Sequence, residues 1–160
     1  MAIEFKRKNN RDVVEFTGVK IIHRNLSGVQ KEYNRAGNRN FSIVLTEDEA
    51  DMLIERGFNV RVRPGQNDPS ERFCFLPVTV SYNHIPPKIY RVTRDKMVLL
   101  TEANVGVIDS SDILNVDLSV NARHWEINGN QGIKPYVSVM YVEVEEDAFA
   151  DKYANRELIG

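Results

Sequence analysis

The chain has 160 residues, enough to bury one sizeable core. Hydrophobic residues make up 42% and charged residues 28%, and no apolar run reaches the length of a membrane-spanning helix. The net charge of −2 does not by itself point to nucleic acid, but it hides a segregation. Residues 1–40 hold nine Lys/Arg against four Asp/Glu, and residues 141–160 hold two against six. That asymmetry suits an anionic partner plus an acidic segment, with chance segregation as the bland alternative. The start "MAIEFKRKNNRDVVEF" lacks a signal-peptide core. The single cysteine, Cys74, can form neither an internal disulfide nor a Cys-rich zinc site, which fits a reducing compartment.

In chain order, "DVVEFTGVKIIHRN" contains a strand, with Val19, Ile21 and His23 on one side and Lys20, Ile22 and Arg24 on the other. Turn residues follow around Gly28 and Gly37, and "FSIVL" is a second strand. "TEDEADMLIERG" is the clearest helix. Thr46 is its N-cap, Glu49 completes a capping box, Ala50, Leu53 and Ile54 face the core, and Gly57 supplies a left-handed C-terminal cap. "FNVRVR" is a strand with Val60 and Val62 inward and Arg61 and Arg63 outward. A loop with two prolines leads to "FLPVTVSY", a strand with Leu76, Val78, Val80 and Tyr82 on one face. Pro77 suggests an edge position or a bulge there.

"IYRVT" and "KMVLL" are two short strands around "RD". "TEANVGVIDSSDI" is a short helix or helical turn capped by Thr101. "NVDLSVNARHWEI" and "GIKPYVSVMYVEVEE" are long strands joined by "NGNQG", where Asn128-Gly129 is a strong hairpin signal. "DAFADKYANRELIG" ends the chain as an amphipathic tail or short helix. Seven to nine strands with one firm helix predict a mainly antiparallel β domain, and a partly closed barrel removes its sheet edges.

Signs of catalysis are few. No P-loop and no Gly-rich dinucleotide fingerprint occurs. His23, His84 and His124 are scattered without ligand spacing, and Cys74 between Phe73 and Phe75 reads as a small buried hydrophobe. Asp109, Asp112 and Asp117 could be imagined around a metal, but "DSSD" reads as turn chemistry bonding local backbone N–H groups. No cofactor and no metal site is expected.

Binding chemistry is better represented. Single-stranded nucleic acid is held by cations that follow its phosphates and by aromatic faces that stack on its bases. Basic and aromatic residues interleave in "KEYNRAGNRNF", "KIYR", "RHW" and "KPY". The candidate contacts are Arg24, Lys31, Tyr33, Arg35, Arg39, Arg61, Arg63, Lys88, Tyr90, Arg91, Arg123, Trp125, Lys134 and Tyr136. At the tip around Gly37, Arg35 and Arg39 are expected on phosphates and Asn34, Asn38 and Asn40 on sugars, phosphates or base edges, in a flexible hairpin on the barrel rim. A solvated turn is the bland alternative. Phe41 is expected in the core.

Three blocks together resemble the single-stranded DNA-binding proteins of tailed bacteriophages. They are "FTGVKIIHRNLSG…YNRAGNRNFSIVL" with the helix and "GFNVRV", then "PPKIYRVT", then "VDLSVNARHWEINGNQGIKPYVSVMYVEVEEDAFADKY". The resemblance implies an OB-like β-barrel domain over residues 1–145 with an inserted helix and extended hairpins, and an acidic C-terminal tail over 146–160. It also implies non-catalytic binding of single-stranded DNA in replication or recombination, in the cytoplasm of a bacterial host. Phage or host replication proteins are the expected partners of the acidic tail, although its "RELIG" ending departs from an acidic-aromatic tip. A homo-oligomer, a phage structural or adaptor protein with a protein-binding β domain, and an RNA-binding module of similar shape stay open.

Overall fold

A computed structural model describes residues 1–83 and 85–146. Beyond Glu146, the expected acidic tail lies outside the described residues, as does His84. Ten strands share one sheet: β1 (Ala2–Lys8), β2 (Arg11–Val19), β3 (Ile21–Asn25), β4 (Arg39–Leu45), β5 (Arg61–Pro64), β6 (Arg72–Val80), β7 (Lys88–Val92), β8 (Met97–Leu100), β9 (Ile113–Ile127) and β10 (Asn130–Val144). The helix α1 (Glu47–Glu55) joins β4 to β5, and a 3₁₀ helix (Val105–Ser110) precedes β9.

The pairing path is β1-β2-β9-β10-β6-β4-β3. Its inner part starts on β2 and ends on β3, which are consecutive in the chain, so the sheet curls back toward itself without closing by hydrogen bonds. The β6–β10 contact is parallel and the main path is otherwise antiparallel, which is the OB-like arrangement. Phe16, Phe41, Ile43, Leu76, Val78, Val120 and Met140 fill the interior, all nearly inaccessible. Leu53 from α1 and Ile108 from the 3₁₀ helix add to the same core.

Short-range signals hold. Thr46 Oγ1 accepts from Glu49 N–H and Glu49 Oε1 accepts from Thr46 N–H, so both halves of the capping box are made. Gly57 turns the chain out of α1 at φ +98°, and Asn128-Gly129 takes positive φ at both residues between β9 and β10. Phe41 and Cys74 are buried as expected, and burial pushes the Cys74 thiol up from its ordinary pKa.

Several expectations need correction. The first strand is two: Gly18, at φ +67°, lies in a register shift of β2 against β9, Val19 pairs with Val116 beyond it, and β3 then turns to β4. Val19 and Ile21 are buried, but His23 is exposed at φ +53° in a register irregularity, so the alternation fails there. Ile54 faces solvent, about one residue's rotation from the buried Leu53. Thr101 does not cap through its hydroxyl; the Asn104 side chain reaches back to Thr101 N–H at 2.7 Å. Pro77 lies inside the sheet opposite Ser42, between the stretch of β6 paired with β5 and the single pairing with β10 at Thr79. A residue without an N–H fits where one neighbour ends and the next begins. The strand β1 is additional, and only Ile3 and Phe5 of its side chains pack against the core.

Candidate nucleic-acid interface

Period-2 alternation decides what the outer face carries. On β6, Cys74, Leu76, Val78 and Val80 point inward, so Phe73, Phe75, Pro77 and Thr79 point outward. Opposite them stand Arg63 and Arg61 of β5, with the Arg63 guanidinium 5.9 Å from the centre of the Phe75 ring. Phe73 is 39% exposed, with its ring 5.7 Å from that of Phe75, and His23 meets Phe75 edge-on at 5.0 Å. On the other side of β6, Lys134 and Tyr136 of β10 face outward beside Arg123 of β9. The Arg123 guanidinium lies 4.8 Å and the Lys134 ammonium 5.3 Å from the Tyr136 ring centre.

These elements enclose an open cleft of ≈ 650 Å³. It brings together Tyr33 of the tip, Arg39 of β4, Arg61 of β5, and Lys134 and Tyr136 of β10, with Thr79, Asn40 and Tyr82 in its floor and walls. Glu102 is the one carboxylate in the lining. Tyr82 Oη is buried without a hydrogen-bond partner, and burial raises its pKa against the opposing effect of Arg39.

The tip between β3 and β4 is braced more heavily than its composition suggests. Asn34 Nδ2 donates to Val29 O and Asn38 O, Asn40 Nδ2 donates to Asn34 Oδ1 at 2.8 Å, and Gly37 N–H donates to Gly28 O at 2.8 Å. Asn34 and Asn40 therefore shape the loop. The flexible hairpin expected from sequence is a cross-linked one. Its exposed side chains include Lys31, Glu32, Arg35, Asn38 and Tyr33, the last at 95% accessibility.

The other candidates divide. Arg39 Nη1 donates to Leu26 O at 2.7 Å, and its side chain is only 17% exposed beside Glu102. Arg24 Nη1 donates to Ile108 O and Ser111 O, each at 2.8 Å, and ties the 3₁₀ helix to β3. Trp125 is 39% exposed on the β9–β10 arm and lies across Gly132 of the partner strand, where an added Cβ would meet the indole at 2.8 Å. Lys88, Tyr90 and Arg91 sit on β7, away from the cleft lining, and Tyr90 stacks on Tyr141 at 5.0 Å. Phe73 and Tyr82 were not among the sequence candidates, although the alternation of β6 already points Phe73 outward.

Asp109, expected in a local turn, reaches further, and so does Asp117 on β9. Asp109 accepts from Leu26 N–H, Ser27 N–H and Ser27 Oγ, and Asp117 accepts from Gly18 N–H. Among the described residues, no group of three or more His, Cys, Asp or Glu is placed to hold a metal ion. No described helix is long and apolar enough to cross a membrane.

Residues 4–159 match the family described as "Putative phage ssDNA-binding domain". No curated protein matches. Among solved structures, the chain is similar to the single-stranded DNA-binding protein from bacteriophage Enc34, at a TM-score of 0.53 and 8% identity over 99% of this chain and 97% of that one. A C-terminally truncated form of the same protein gives 0.51 and 8% identity over 91% and 96%. At such identity the likeness is one of fold.

Proposed function

The chain belongs to the phage single-stranded DNA-binding domain family, and from that membership we propose that it binds and protects exposed single strands with little sequence preference. The observation that supports this most is the cleft on the outer face of β4, β6 and β10. It offers cations from three strands, exposed or half-exposed rings, and a width open to solvent. Phosphates would meet Arg61 and Lys134, and bases would meet Tyr33 at one end and Trp125 on the arm at the other. Such a surface tolerates any base, because stacking reads only the π-face. The work is holding, without turnover, in phage DNA replication or recombination in the cytoplasm of the host cell. Recruitment of replication proteins belongs to the acidic residues 146–160, and the division into a 1–145 binding domain and that tail goes with this proposal.

The test is a fluorescence titration with a thymidine oligomer at two salt concentrations. Contact with about 4 phosphates gives a log–log salt slope of roughly −3, at about −0.7 per phosphate. A slope near zero, or no binding at low salt, contradicts the proposal and favours a protein-binding adaptor. Competition between DNA and RNA oligomers of equal length separates the two nucleic acids.

A further inference from the structure

The sheet register places four cations in one row. Lys8 pairs with Arg11 across β1–β2, and Lys134 pairs with Arg123 across β10–β9. Val13 pairs with Asn121, so two residues earlier on β2 Arg11 comes level with Arg123 on β9. The row Lys8–Arg11–Arg123–Lys134 therefore crosses four strands on the outer face, about 14 Å at about 4.8 Å per strand. Like charges directly opposite each other destabilise a sheet. Among the described residues none of the four is ion-paired with a carboxylate. The carboxylate nearest in sequence, Asp12, is engaged by Arg7 at 3.1 Å and by His124 at 3.0 Å.

A second cleft, of ≈ 530 Å³, lies over the middle of this row, at Arg11 and Arg123, with Lys8 and Lys134 just outside its lining. Asn10 of the β1–β2 turn and Arg11 and Asp12 at the start of β2 line one side, and Arg123 and His124 of β9 the other. It shares Ser81 and Tyr136 with the ≈ 650 Å³ cleft, so the two are continuous around the Tyr136 ring. We propose that this row is a second phosphate track, along which the bound strand leaves the first cleft past Tyr136 and crosses β9 to the β1–β2 turn. Lys8 and Arg11 are its outer contacts. Four opposed cations are tolerable where a polyanion lies across them, and the strand direction is then perpendicular to β9. The proposal rests on the binding function above and adds a path and a length to it.

The experiment compares the wild-type protein with Lys8→Gln/Arg11→Gln on two oligothymidines. One has about 4 nucleotides and the other about 16, the two ends of the range that one OB domain engages. On the long oligomer the variant should show a salt slope less negative by about 1.4, two contacts at about 0.7 each. On the short oligomer, which fills the first cleft alone, the slope should be unchanged. Arg11→Lys should behave as wild type, and far-UV circular dichroism should show the same fold in all. An unchanged slope on the long oligomer, with wild-type binding intact, overturns the second track. So does an equal loss on both lengths, which marks a diffuse field. Absence of wild-type binding to either oligomer at low salt is a different result and removes the binding function itself.

Discussion

The two rims of the first cleft use their arginines in opposite ways. On the rim from β3 to β4, Arg24 and Arg39 give their Nη1 protons to main-chain oxygens of Ile108, Ser111 and Leu26. On the arm of β9 and β10, Arg123 and Lys134 are exposed and held only against the Tyr136 ring. Both rims look equally basic in sequence. The difference lies in which of them has carbonyl oxygens to satisfy, and a guanidinium that caps carbonyls is poorly free to take a phosphate. The first rim is held together by Arg24 and Arg39 and leaves only Lys31 and Arg35 at its tip exposed, whereas the second presents both Arg123 and Lys134.

The largest effect expected from this contrast is on stability. Arg24→Ala removes two charged hydrogen bonds to the carbonyls of the 3₁₀ helix, and bonds of that kind contribute about 1.5–3 kcal/mol each. Urea denaturation should show a loss of about 3 kcal/mol, the lower end of the two together, with the affinity of the remaining folded protein for oligothymidine unchanged. Unaltered stability with weakened binding would erase the contrast.

On the arm the effect should fall on binding. Trp125→Ala should weaken it by about 1–3 kcal/mol, the worth of one stacked base, with little change in melting temperature. Indole fluorescence of the unaltered protein should be quenched on adding DNA. A steep fall in melting temperature with unchanged affinity would return Trp125 to a packing role. Tyr33→Ala sharpens the comparison from the other rim. Its ring is free in solvent, so stability should be untouched, while affinity falls by about 1 kcal/mol, the lower end for stacking. No change in affinity would leave the tip as a solvated turn.

A smaller effect should follow from Gly132→Ala. The new Cβ would meet the Trp125 ring at 2.8 Å and force the indole to tilt off the partner strand. The tryptophan emission maximum should move, and binding should weaken by less than in Trp125→Ala. An unchanged emission spectrum would show that the ring does not rest on Gly132.

What was legible in the sequence follows the range of each interaction. Thr46 with Glu49, Asn128 with Gly129, and the inward series Leu76, Val78, Val80 are set by neighbours within a few residues, and all were readable. The rest depends on partners far along the chain. Arg24 bonds residues 84 and 87 positions away, and Asp109 bonds the backbone 83 and 82 positions away, so neither role has a local signature. The amide-rich tip was read for its donors, but the acceptors that occupy Asn34 and Asn40 appear only once the loop is closed. The strand β1 was hidden because its charged outer residues outnumber Ile3 and Phe5. With it went the register that brings Lys8 and Arg11 level with Arg123.

The most direct measurement is the salt dependence of oligothymidine binding for Arg123→Gln/Lys134→Gln set beside Arg24→Gln, each corrected to the fraction folded. If the arm presents its cations to phosphates, the double variant should flatten the slope by about 1.4, two contacts at about 0.7 each, and Arg24→Gln should leave it as in the wild type. A slope unmoved by the arm substitutions, or flattened by Arg24→Gln instead, would contradict the assignment of the binding surface.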